Sequence, residues 1–380
     1  MLSARLDWND GAGWTTHDPQ FQKADLVLFF GEREALADGR ADRELKQCFP
    51  DAIIVGCSTG GQIVGSDVCD GGVHAQAISF SQASARLAHE SIQDARDSVE
   101  IGQKLGARLA DPELACVLII SSGLFVNGAG LVEGVASAVG AQVSIVGGLA
   151  GDGAKFQETI VTAGDECGPH IIAAIGLYGK SLEVGHGNAG GWSPFGPMRS
   201  ITRSQGNVLY EVDGEPALDL YERYLGPDEC HDLPASGLLF PLRISSRDRE
   251  DAGVVRTILG IDRATRSMTF AGDMPLGWNA QLMRGSNERL IEGAATAARQ
   301  AQTNLTGPAQ FSLLVSCIGR KLLMGQRIEE EVEAAADVLA DGAKPFGFYS
   351  YGEISPQHET GFAQLHNQTM TVFLMRETVT

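Results

Sequence analysis

Short continuous apolar runs alternate along the chain with stretches whose apolar residues recur every third or fourth position. Leu26-Val27-Leu28-Phe29-Phe30 is of strand length, and a helical stretch ending in Leu45, Cys48 and Phe49 follows it. Ile53-Ile54-Val55, a glycine-rich turn and a strand over Val73–Phe80 complete this first pattern. The second copy runs Val117–Ile120, a helix with Leu131, Val135 and Val139 on one face, Val143–Gly148, and a strand from Ile171 to Tyr178. The third runs Phe311–Val315, a helix with Ile328, Val332, Ala335 and Val338, Gly347–Ile354, and a strand from Thr369 to Leu374. Runs bounded by Gly or Pro indicate buried strands, and i, i+3/i+4, i+7 spacing indicates amphipathic helices. A fourth, looser copy is read at Val208–Tyr210, Ala217–Leu225, Leu238–Ile244 and Val254–Ile261. Helical stretches at Ile92–Leu109 and Glu288–Leu305 link the copies.

Four β-α-β-β units predict an α/β protein (α+β mixed sheets) made of two related halves, each a mixed sheet with covering helices. Gly185–Pro197 (GHGNAGGWSPFGP), where Gly and Pro break the periodicity, marks the boundary, giving domains over 20–197 and 198–380. A turn of small residues follows the second strand in three copies: GCSTGG, GGLAGDG and GFYSYGE. A histidine stands just before or at the start of the last strand in the same three: His74, His170 and His366. The turns are therefore expected at equivalent corners.

Charge narrows the function classes. With 29 Lys+Arg against 48 Asp+Glu, the 380 residues carry a net charge of −19. Such a surface repels phosphate backbones and anionic lipid, which argues against nucleic-acid and membrane-surface binding. No apolar run approaches the length of a membrane span. The start, MLSARLDWNDGAGW, has no apolar signal region. Seven cysteines, an odd number without a CxxC pair, read as reduced thiols in a cytoplasmic protein.

The stretch Gly56-Cys57-Ser58-Thr59-Gly60 fits the G-x-S-x-G pattern of a hydrolase nucleophile elbow. That elbow needs a helix after it, and GQIVGSDVCDGG is too rich in Gly and Asp to start one. A phosphate cradle would need Gly-Lys-Ser/Thr before a helix, and no Lys is nearby. The glycines either let the backbone approach a ligand or let strands bend and pack. Asp152 is a candidate ligand carboxylate or a turn residue. Glu353, in an apolar-aromatic stretch, needs a partner, either a protein donor or a ligand cation. No His or Cys pair has zinc-site spacing.

Five segments together resemble the FIST family, in its two adjacent modules, FIST N and FIST C. They are GCSTGGQI from Gly56, GWSPFG from Gly191, YEVDGEPA from Tyr210, YGEI from Tyr351 and HNQT from His366. One departure is Gln62, where the family's first motif often has Glu. The resemblance implies an intracellular small-ligand sensor in signal transduction, without enzymatic activity. The ligand would be amino-acid-like. Some stand-alone bacterial members are similar in layout, bind haem to sense nitric oxide and act on a histidine kinase, as in a two-component system. No kinase, cyclase, methyl-accepting or DNA-binding segment is found here, so the signal would pass to a partner in trans. The candidate ligand contacts are Gly56, Cys57, Ser58, Thr59, Gly60, Gly147, Gly148, Asp152, Trp192, Tyr351, Gly352, Glu353 and Asn367. Any haem would be held non-covalently, because no CxxCH motif is present. His186 is then the first choice of axial ligand, because its small neighbours would admit a flat macrocycle on which Trp192 could stack. His366 is the second choice. The alternative from another class is a hydrolase using Ser58 or Cys57.

Overall fold

The computed structural model describes residues 1–226, 230–248, 253–339, 342–357 and 361–378. It is a mixed α/β structure. His358 lies outside the described residues.

Three stretches of chain, 2–79, 84–178 and 182–377, are wired alike. Each supplies two parallel strands, which are Leu26–Gly31 with Ile53–Ser58, Leu114–Ser121 with Ser144–Leu149, and Phe311–Cys317 with Phe346–Ser350. Nearly every residue of these strands is buried, as their continuous apolar runs require. The unit's last strand, Val73–Ser79, Ile171–Tyr178 or Met370–Glu377, lies antiparallel to the first of the pair. Its opening strand, Leu2–Asn9, Ser84–Ser91 or Leu182–Ala189, adds outside that last strand.

The other edge of each sheet is completed by a hairpin from a different unit. Strand Ile53–Ser58 is covered by Val161–Ala163 of the second unit. Strand Ser144–Leu149 is covered by Gly352–Pro356 of the third, and Phe346–Ser350 by Gln62–Val64 of the first. The exchange is cyclic. One apolar cluster joins the inner faces of the three sheets, with Phe30, Ile120 and Phe348 among its members. Phe30 and Phe348 have ring centroids 4.4 Å apart there. Helices cover the outer faces: Arg40–Cys48 on the first sheet, Ser98–Leu109 and Gly128–Val139 on the second, Asn287–Gln302 and Glu329–Val338 on the third.

The fourth, looser copy is built differently. Strand Val208–Val212 and helix Ala217–Leu225 form, but the strand pairs antiparallel with Arg199–Gln205 and Ser267–Phe270. Strand Leu242–Ser245 pairs antiparallel with Val254–Arg256 and Asn279–Gly285. This segment belongs to a nine-stranded sheet inserted into the third unit between strand Leu182–Ala189 and helix Asn287–Gln302. Similar apolar runs chose different partners because run length does not encode pairing.

The boundary stretch also departs from expectation. Gly185–Ala189 lies within a regular strand paired with Met370–Glu377. Its glycines admit a helix: a Cβ on Gly187 would stand 2.1 Å from the Ala297 carbonyl oxygen, and one on Gly185 2.0 Å from that of Ala301. The lack of side chains that looked like a break is what lets helix Asn287–Gln302 lie directly on the strand.

Candidate functional site

The three chain crossings that carry each hairpin to its neighbouring sheet meet at one place. They are 59–61, 150–160 and Tyr351, the turns repeated in the sequence. Their backbones are bonded in a ring. Gly60 N–H donates to Tyr349 O at 2.9 Å, Gly151 N–H to Ser58 O at 2.9 Å, and Tyr351 N–H to Leu149 O at 3.1 Å. Gly147, just before the second crossing, has φ +133°, and a Cβ on it would stand 1.9 Å from the Ile119 carbonyl oxygen. Only glycine permits that approach.

Around this ring the polar side chains are taken up by protein partners. Ser58 Oγ, fully buried, accepts from Ile160 N–H at 2.9 Å. Thr59 and the neighbouring Gln62 are hydrogen-bonded to each other at 2.8 Å. Burial pushes the Cys57 thiol well above its ordinary value. Asp152 accepts from the backbone N–H of Phe156 (2.9 Å), Gln157 (2.8 Å) and Glu158 (3.0 Å), and from the Tyr351 hydroxyl. It thus holds the long second crossing in shape, and the Tyr351 ring stacks on Phe156 at 4.6 Å. Asn367 donates to Tyr351 O at 3.2 Å and accepts from Thr257 N–H at 3.2 Å.

Glu353 finds protein donors. Its carboxyl accepts from the Ser350 hydroxyl at 2.7 Å, the Thr369 N–H at 3.1 Å and the Thr369 hydroxyl at 3.0 Å. Burial pushes this group up to about 8, and the three donors only partly offset that cost. Opposite it on the ladder, His366 has Nε2 3.0 Å from Ser355 O, and burial pushes the imidazole down to about 4.

The sequence did not reveal several residues that shape the site. Lys321 donates to Gly60 O at 2.7 Å, pairs with Asp70 and lies 5.5 Å from the centre of the Tyr349 ring. Arg320 and Glu331 form a fully buried ion pair at 2.7 Å, and Glu331 also accepts from Tyr349 and Ser316. These residues stand on a short helix, Ile318–Met324, and on Glu329–Val338, remote from the turns in the chain. Beside the ring an open cleft, with about 770 Å³ of empty space counting that open to solvent, separates the core from the inserted sheet domain. It is lined by Ala154 of the second crossing, by Leu322, and by Asp232, Ala235, Ser236 and Leu239 of the insert.

Of the candidate contacts, Gly56, Cys57, Ser58, Thr59, Gly60, Gly147, Gly148, Asp152, Tyr351, Gly352, Glu353 and Asn367 are brought together at the crossings. Trp192 stands apart from the ring and donates through Nε1 to Gln368 O at 2.9 Å. His186 lies on the strand opposite Phe373. The glycines beside His186 do not open a slot for a haem. Strand alternation points His186 away from the face its glycines open, and helix Asn287–Gln302 fills that face. His366 is buried in a hairpin, hydrogen-bonded to a backbone carbonyl. Among the described residues no group of three or more His, Cys, Asp or Glu is arranged to hold a metal ion. No described helix is long and apolar enough to cross a membrane.

Comparison with known proteins gives two family matches, FIST N domain over residues 25–215 and FIST C domain over 217–356. An uncharacterized protein of Mycobacterium tuberculosis is 26% identical over 240 residues, 61% of this chain and 60% of that protein. An uncharacterized protein of Methanocaldococcus jannaschii is 27% identical over 223 residues, 53% of this chain and 40% of that protein. The chain thus spans about 60% or less of the length of these relatives. A solved cyanuric acid hydrolase from A. caulinodans aligns over 94% of this chain and 91% of its own, at 10% identity and a TM-score of 0.34.

Proposed function

The chain belongs to the FIST family, a family of signal-transduction sensor domains, and from that premise we propose a sensor whose small ligand enters the cleft beside the turn ring. The observation that carries this reading is the ring itself. Each crossing belongs to one unit and feeds a strand into another, so a ligand against Ala154 touches the crossing from the second sheet to the first, and the ring bonds that crossing to the other two. Asp232 on one wall offers a carboxylate, which suits a ligand that carries an ammonium group, such as an amino acid. The signal passes to a partner in trans, and a sensor histidine kinase is the partner class. The protein is not a catalyst in this reading. Cys57 is held as a thiol by burial, and Ser58 Oγ faces a backbone N–H where a nucleophile would need a base.

Thermal shift across the common amino acids checks the site. A ligand that raises the melting temperature of the native chain should lose its effect in Leu322→Trp, which fills the cleft, and weaken in Asp232→Asn. A shift retained in both variants would place the ligand elsewhere. Esterase activity abolished by Ser58→Ala would replace the sensor with the hydrolase.

A further inference from the structure

The inserted sheet domain carries a crevice of its own. Helix Ala217–Leu225 lies against the nine-stranded sheet, and a narrow gap with about 440 Å³ of empty space, counting that open to solvent, remains between them. Leu209, Val212, Leu220, Leu242, Met268 and Leu282 make its walls. The mouth is of another character. Phe195, from the GWSPFG motif, and Tyr224 stand there 43% and 39% exposed. Arg199 lines the opening, with Nη1 3.0 Å from Asp213 and Nη2 2.6 Å from the Tyr224 hydroxyl. Arg284 lies over the Phe195 ring at 5.5 Å, and among the described residues no carboxylate pairs with it.

A protein of net charge −19 has thus placed two guanidinium groups and two exposed aromatic rings around an apolar slot. We propose that this crevice binds a carboxylic acid with a short apolar chain. The chain sits among Leu209, Met268 and Leu282, and the carboxylate lies at Arg284, beside the Arg199–Asp213 pair. Burial of the hydrocarbon supplies the affinity, and the guanidinium groups supply the preference for an anion. A zwitterion is disfavoured, because its ammonium would lose its solvation in the slot. This site is separate from the cleft at the turn ring and does not depend on its reading.

Isothermal titration of the full chain with hexanoate, 1-hexanol and hexylamine tests it. Hexanoate should bind, and the alcohol and the amine should each bind at least about tenfold more weakly, as expected for loss of a charge-assisted contact. Arg284→Gln should weaken hexanoate by about tenfold, and Leu209→Trp should block it. Leu322→Trp, in the other cleft, should leave it unchanged. Arg284 is on the surface, so its variant decides the matter even if Leu209→Trp fails to fold. Equal binding of hexanol and hexanoate, hexanoate binding unchanged in Arg284→Gln, or no hexanoate binding would each overturn the proposal.

Discussion

Glu353 and His366 face each other across one ladder, and burial moves them in opposite directions. The Glu353 carboxyl, at about 8 against an ordinary 4.5, stays protonated in the folded chain where the unfolded chain has ionised. The folded state then holds the extra proton, so stability falls as pH rises through that window. His366, at about 4 against an ordinary 6.5, stays neutral where the unfolded imidazole is protonated. Here the unfolded state holds the extra proton, so stability falls as pH drops through that window. Each slope is at most about 1.4 kcal/mol per pH unit. Between pH 4.5 and 6.5 they oppose each other, and between 6.5 and 8 only the Glu353 loss remains. Melting temperatures from pH 4 to 9 should therefore show Glu353→Gln losing less stability than the native chain between 6.5 and 8. The same alkaline loss in both proteins would show that Glu353 is ionised in the fold.

At the scale of single elements, close approach of backbones decides more than side-chain packing. Helix Asn287–Gln302 rests on strand Leu182–Ala189 because Gly185 and Gly187 present no side chain to it. Gly187→Val should push the helix off and destabilise the chain by about 1–3 kcal/mol or more, the range for overpacking a close contact. A urea midpoint unchanged from the native chain would refute that contact. The same element shows what the sequence conceals. Strands such as Ile171–Tyr178 were legible because both faces are buried, so every residue is apolar. The opening strands Leu2–Asn9, Ser84–Ser91 and Leu182–Ala189 were not, since they lie towards sheet edges and mix polar with apolar residues. The turns of the candidate site were legible through their repetition. The cleft beside them was not, because its far wall comes from residues 232–239 of the insert, which carry no pattern related to the turns.

The cyclic exchange of hairpins makes the three units one cooperative body. A fragment of residues 1–180 would keep strand Ser144–Leu149 but lose its partner Gly352–Pro356, exposing a bare sheet edge. It would also keep the hairpin Gln62–Cys69 without strand Phe346–Ser350, on which that hairpin pairs. Such a fragment should aggregate or melt without a cooperative transition. The insert is attached differently. Trp192 pairs with Gly285, so the chain leaves and re-enters the third unit at neighbouring points. A variant in which residues 193–284 are replaced by a short Gly-Ser linker should still melt cooperatively. It should do so at a lower temperature, because it loses the bonds from Asn127 to Asp273, Gln368 to Leu238 and Thr257 to Asn367. Calorimetry of both proteins separates the two kinds of connection. A cooperative, monomeric 1–180 fragment would mean that exchange of strands does not bind the units together, and a ligand at the turn ring would then have no route by which to act on all three sheets.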